Sequence, residues 1–127
     1  KAINEWLRII KKNGYIIIIV PEKSKCSDHR RDYSNFSTLL SQYDNNIGED
    51  DLSTLPEILS KHDFSMDCHS PDVEQFTKKS LDNFRNRCLH HYVYNPDLLM
   101  RISLFFNCEF IYTETIGLNI WFIMRKE

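Results

Sequence analysis

Six consecutive apolar residues, Tyr15 to Val20, stand between Asn13-Gly14 and Pro21, and they limit what this chain can fold into more than any other segment. A strand with no polar alternation expects cover on both faces, which is the habit of parallel sheets flanked by helices. Pro21 cannot donate to a ladder and closes it. Before the strand, Ile3, Trp6, Leu7, Ile9 and Ile10 fall at helical spacing. Lys11 and Lys12 suit a helix C-terminus, and Asn13-Gly14 can supply the left-handed residue that ends it. Helix, tight turn and buried strand form a unit typical of the middle of an α/β fold.

Further along, Glu22 to Tyr33 is polar and charged and reads as a loop. Phe36, Leu39, Leu40 and Tyr43 follow at i, i+3, i+4 and i+7, the apolar face of a short helix. Asp44 to Asp51 is a linker, and a second short helix is expected over Leu55 to His62, with Pro56 in its first turn. Ser70-Pro71-Asp72 predicts a capped start to a longer helix whose apolar face is Val73, Phe76, Phe84 and Cys88. His90 to Tyr94 reads as extended. Asn95-Pro96-Asp97 opens a core helix carrying Leu98, Leu99, Ile102, Phe105 and Phe106. Glu109 to Thr115 and Asn119 to Arg125 then form a hairpin around Gly117.

The segment Glu5-Trp6-Leu7-Arg8-Ile9-Ile10-Lys11-Lys12-Asn13-Gly14, with its strand, resembles the helix, turn and fifth strand of class I S-adenosylmethionine-dependent methyltransferases. Asp28-His29-Arg30-Arg31, Lys61-His62-Asp63, Asn86-Arg87-Cys88-Leu89-His90-His91 and the closing strands extend the likeness to a bacterial subgroup of unassigned substrate. The resemblance implies the C-terminal part of a Rossmann-like α/β sheet. Its last strand would insert antiparallel beside the fifth, with the sixth outside it, and residues 22–94 would be a loop and helical insertion before the helix and hairpin of 95–127. It also implies methyl transfer to an oxygen or nitrogen acceptor of an unidentified small-molecule substrate. The family holds its cofactor with a glycine-rich loop after the first strand. This chain has three isolated glycines, so no cofactor-binding residue is assigned in it. Because Lys1 is not an initiator methionine, the chain is expected to begin inside a longer product.

Ligands of open α/β sheets sit beyond the carboxyl ends of the strands, which directs attention to the loop after Val20. There His29, Arg30 and Arg31 are candidate substrate-binding residues for an acidic or phosphorylated group, the alternative being a solvated loop neutralised by Asp28 and Asp32. His90 and His91 are candidate general bases and Tyr92 a candidate stacking partner. Against this, neighbouring side chains of an extended segment point to opposite sides, so both histidines cannot face one crevice.

Other function classes find less support. A net charge of −2 gives no bulk attraction to nucleic acid or anionic membrane. No apolar run approaches the roughly 20 residues of a membrane helix. Cys26, Cys68, Cys88 and Cys108 read as reduced thiols of a cytoplasmic protein. Together with His29, His69 and His90–His91 they match no compact zinc spacing, so no metal site is expected. The competing view is a non-catalytic α+β interaction module. In either case the apolar strand would lack a neighbour on one edge, so a homodimer, or a separate polypeptide supplying the absent half, is the partner this arrangement implies.

Overall fold

The computed structural model describes residues 1–70 and 72–127. Among the described residues, six helices and three strands follow in the order α1 (Ala2–Ile9), β1 (Tyr15–Pro21), α2 (Phe36–Asp44), α3 (Leu55–Lys61), α4 (Val73–Leu81), α5 (Asn83–Asn86), α6 (Pro96–Phe105), β2 (Cys108–Ile116) and β3 (Asn119–Lys126). The strand order is β1-β3-β2, and both pairings are antiparallel. The C-terminal strand therefore lies between the other two, as expected, and one edge of β1 is open.

Local chemistry explains most element boundaries. α1 ends at Ile9, earlier than Asn13-Gly14 suggests, and the left-handed residue of the turn is Asn13 (φ 64°). Asn95 caps α6 by accepting from the Leu98 N–H at 2.8 Å, with Pro96 in the first turn. α4 starts two residues later than the Ser-Pro-Asp signal implies. Asp72 rather than Ser70 is its cap, accepting from the Gln75 N–H at 2.8 Å, and Pro71 lies outside the described residues. The expected longer helix breaks at Asp82, and Arg87 closes α5 in the left-handed region (φ 50°). Gly117 (φ 60°) occupies the first position of the two-residue turn joining β2 to β3, where a positive φ is needed.

The sheet is covered on one face only. Ile16 of β1 and Ile120, Phe122 and Met124 of β3 bury themselves against Leu99 of α6 and Cys108, with Ile3, Leu7 and Ile10 packed at the margin. The two-sided cover expected of β1 is not found. Its burial alternates, leaving Ile17 55% and Ile19 49% exposed beside Trp121 and Ile123 of β3. Antiparallel pairing accounts for this, since both covering helices, α1 and α6, lie on the same side. A bulge at Ile111 resets β2, so that Phe110 shares the face of Met124 and Tyr112 that of Ile123.

A second, smaller core belongs to the insertion. Leu55 and Ile58 of α3, Phe76 of α4 and Leu89 are buried together. His62 joins it, its ring stacked on Phe76 at 4.3 Å between centroids. Val73 and Phe84, expected on this face, are exposed; the break at Asp82 turns Phe84 outward, and Val73 lies at the solvent-facing start of α4.

Truncating Phe122, which has no exposed surface, should cost about 3–5 kcal/mol of unfolding free energy in urea denaturation. Leu104→Ala, on the open side of α6, should stay within about 0.5 kcal/mol of wild type in the same assay.

Candidate active site

Three separated stretches of sequence converge just beyond the carboxyl end of β1. The turn Asp28 to Arg31 follows the strand and a 3₁₀ turn at Lys23–Lys25. It meets residues 61–63 at the end of α3 and the extended segment 89–93. Arg31 stands at the junction, 2% exposed. Its Nη1 donates to Asp28 Oδ1 at 3.0 Å and to the His90 carbonyl at 2.6 Å, and Nη2 donates to the His91 carbonyl at 3.3 Å. Nε lies 3.5 Å from Glu57 Oε1 on α3 without forming a hydrogen bond. Arg31 was expected to meet substrate; it is instead enclosed and committed to holding three chain segments together.

His29 and Arg30 are tied down from outside this junction. His29 Nε2 and Arg30 Nη2 both donate to Asp63 Oδ2, each at 2.9 Å. The His29 bond, with help from Ser65 and Arg30, holds the Asp63 carboxyl far below the usual carboxylate range. Arg30 keeps an exposed guanidinium and remains the cation of this trio open to a ligand.

Asp28 and His90 form the chemically poised pair. Asp28, 4% exposed, accepts from His90 Nδ1 at 2.6 Å through Oδ2 while Oδ1 holds Arg31. Burial, the largest influence, pushes the Asp28 carboxyl up, but the bonds from His90 and Arg31 outweigh it and leave it below its ordinary value. The same bond raises His90 against an opposing effect of burial. Since Nδ1 carries the proton bonded to Asp28, Nε2 of neutral His90 is the free basic nitrogen. A cleft of about 230 Å³ adjoins the pair, lined by Pro21, Cys26, His90 and Tyr92 among others. Burial pushes the Cys26 thiol up, away from nucleophilic thiolate chemistry.

His91 faces other partners, as the geometry of an extended segment requires. Its Nε2 lies 3.2 Å from Asn83 Nδ2 on α5, and burial lowers its pKa. The phenol of Tyr92 donates to Gln42 Oε1 at 2.5 Å. Both residues also border a larger cavity of about 860 Å³ between β1, α1, α2 and α6. Both histidines border the smaller cleft, but their partners differ: His91 is set against Asn83, and only His90 has a carboxylate behind it.

Asp28 and Asp63 went unnoticed as site residues. The signal was present in Asp28-His29-Arg30-Arg31 and Lys61-His62-Asp63, where acids and bases cluster, although Asp63 serves His29 and Arg30 and not its neighbour His62. What could not be read was that Asp28 reaches 62 positions forward to His90. His62 donates to Asp67 Oδ2 at 3.0 Å in a further pair, buried under Phe76. Among the described residues no group of three or more His, Cys, Asp and Glu could hold a metal ion, and the four cysteines are free thiols. No described helix is long and apolar enough to cross a membrane. No protein-family model, no curated protein and no solved structure matches the chain.

Three outcomes test this network. Arg31→Ala leaves Asp28 and two carbonyls buried without their partner and should lower stability by about 3–5 kcal/mol in urea. The pH response has a definite sign. His90 is raised in the folded state, so its contribution is complete below its unfolded value near about 6.5 and is lost as pH rises through the folded value. Asp28 is lowered, so its contribution is present above about 3.9 and is lost as pH falls through the folded value. The stability difference between wild type and Asp28→Asn should therefore be greatest between about pH 4 and 6.5 and shrink as pH rises above that window. In NMR titration His90 should move to lower pKa in Asp28→Asn, where the main opposition to burial is gone.

Proposed function

We propose that this chain is the C-terminal, substrate-side part of a class I S-adenosylmethionine-dependent methyltransferase. The observation that carries the reading is the strand order β1-β3-β2, with the last strand inserted antiparallel and the apolar β1 left open on its other edge. That is the arrangement the sequence resemblance implies for the end of such a sheet, with β1 in the place of the fifth strand. The convergence of the Asp28, Asp63 and His90 stretches at the carboxyl end of β1 also supports it.

The chain's own residues do not fit the cofactor. Gly14 precedes β1, where an added Cβ would meet the Lys11 carbonyl at 2.8 Å; Gly48 lies in a linker; Gly117 makes the hairpin. None follows a strand into a helix, so cofactor binding is assigned to a different polypeptide segment. The share of this chain is the acceptor side. With Asp28 fixing its tautomer, His90 Nε2 takes the proton of an acceptor hydroxyl as that oxygen becomes the nucleophile. Arg30 offers its guanidinium to an anionic group on the acceptor.

Calorimetric titration with S-adenosylhomocysteine provides the test. The isolated chain should show no one-to-one binding, whereas the complete product of its reading frame should bind and should form S-adenosylhomocysteine from S-adenosylmethionine. Absence of binding by the complete product would overturn the methyltransferase reading, and tight binding by the isolated chain would overturn the assigned division of labour.

A second reading is favoured by the exposure of Tyr15, Ile17 and Ile19 on a strand with one open edge. In it the chain is an interaction module that pairs with a second copy through β1. Sedimentation would then show a concentration-dependent dimer that Ile19→Lys dissociates. A single monomeric species at high concentration would rule this out.

A further inference from the structure

We infer that the large cavity beside β1 is a binding site for an uncharged, ring-bearing small molecule that presents a hydrogen-bond acceptor. The first ground is packing. α1 and α2 bury no residue fully, although Phe36, Leu39, Leu40 and Tyr43 of α2 are spaced as one apolar face. These side chains turn instead toward a space of about 860 Å³ that runs along the open edge of β1 from Ile17 to Val20. Small-molecule sites measure roughly 300–1,000 Å³ and are lined mainly by apolar and aromatic groups. Tyr43, Phe105 and Phe106 already contact one another edge to face, at 5.1 to 6.2 Å between centroids, and extend the same geometry to an incoming ring.

The second ground is polar. Asn83 Oδ1 accepts from the Leu89 N–H at 3.0 Å, and its Nδ2 donates to the Glu49 carbonyl at 3.0 Å, which settles the orientation of the amide. Nδ2 is therefore also the donor to His91 Nε2, and the proton of neutral His91 resides on Nδ1. Burial, which lowers the His91 pKa, agrees with a neutral ring. His91 thus brings one N–H donor to the cavity wall. Gln42 is oriented likewise: its Oε1 accepts from Tyr92, which leaves its NH₂ as a second donor.

Charge completes the specification. Glu49 and Asp51 line the same cavity, and Asp51 is close enough to act on both His91 and Tyr92. Lys1, at the rim, is engaged with the carbonyls of Asn46 and Ile47 at 2.9 and 3.3 Å. The acids repel an anion, and the N–H donors facing the cavity oppose a cationic N–H group while meeting an acceptor, so together they select a neutral ligand. The inference does not rest on methyl transfer, since a chain with no transferase role would show the same binding.

The test uses N-phenyl-1-naphthylamine as a fluorescent reporter on the full chain. It should bind and be displaced by 2-acetylnaphthalene at about three- to tenfold lower concentration than by 2-ethylnaphthalene, the effect of one hydrogen bond. Naphthalene-2-sulfonate should be the weakest competitor. His91→Ala should retain the reporter and erase the preference for the ketone, and Leu39→Trp, which fills the cavity, should abolish reporter binding with circular dichroism unchanged. The inference falls if wild type does not bind the reporter, or if ketone and hydrocarbon compete equally. It falls also if the sulfonate competes best, or if the chain sediments as a dimer that excludes the reporter because a second copy occupies β1. Should Leu39→Trp misfold, the His91→Ala comparison alone decides.

Discussion

A guanidinium with almost no access to water organises this molecule. Removing such a charge from solvent costs several kcal/mol unless its donors are met. Arg31 meets that demand with groups from two distant parts of the chain: the Asp28 carboxylate and the carbonyls of His90 and His91. Glu57 on α3 adds a charge nearby. The helical insertion and the sheet each have a core of their own, and neither hydrophobic cluster is large. The Arg31 junction, between the loop after β1 and the segment leading into α6, gives the insertion a fixed seat beside the sheet. The same bonds place His90 against Asp28, so a structural requirement also prepares a base at the end of a strand.

The sheet carries the opposite feature, an unmet demand. Placing β3 between β1 and β2 satisfies both partners on one side and leaves β1 and β2 as edges. With α1 and α6 on the same face, Ile17, Ile19, Trp121 and Ile123 are left without a covering layer. An isoleucine-rich strand with an open edge next to a cavity calls for further contacts, whether from another polypeptide or from a ligand. The proposed acceptor-side role and the proposed ligand cavity both answer that demand, at different positions along β1. One lies at its carboxyl end, the other along its open side.

How well the chain could be read depended on how local each signal was. Caps and turns were legible because they act within a few residues: Asn95-Pro96 started α6, Pro56 sat in the first turn of α3, and Gly117 turned the hairpin. Strand order was legible through resemblance, not periodicity. The apolar run of β1 was misread as covered on both faces, because periodicity reports what a face is made of and not whether a partner arrives. Phe84 looked like core for the same reason, until the break at Asp82 rotated it into solvent. In the site, His90 and His91 were nominated together, on residue type, on their place before α6 and on the resemblance. The His90 partner Asp28 was not, and Arg31 was assigned to a ligand when it serves the fold.

The sequence by itself determined the elements, their capping and the hairpin, along with the concentration of histidines, arginines and acids in three short stretches. Those outcomes follow from backbone sterics and nearest-neighbour hydrogen bonds, which operate over one helical turn. Only the tertiary structure decided which acid meets which base. It set Asp28 on His90 and Asp63 on His29 and Arg30, and it sent His91 to Asn83 instead. Contacts of this kind span tens of residues and depend on how two cores dock, a geometry to which no local pattern is sensitive.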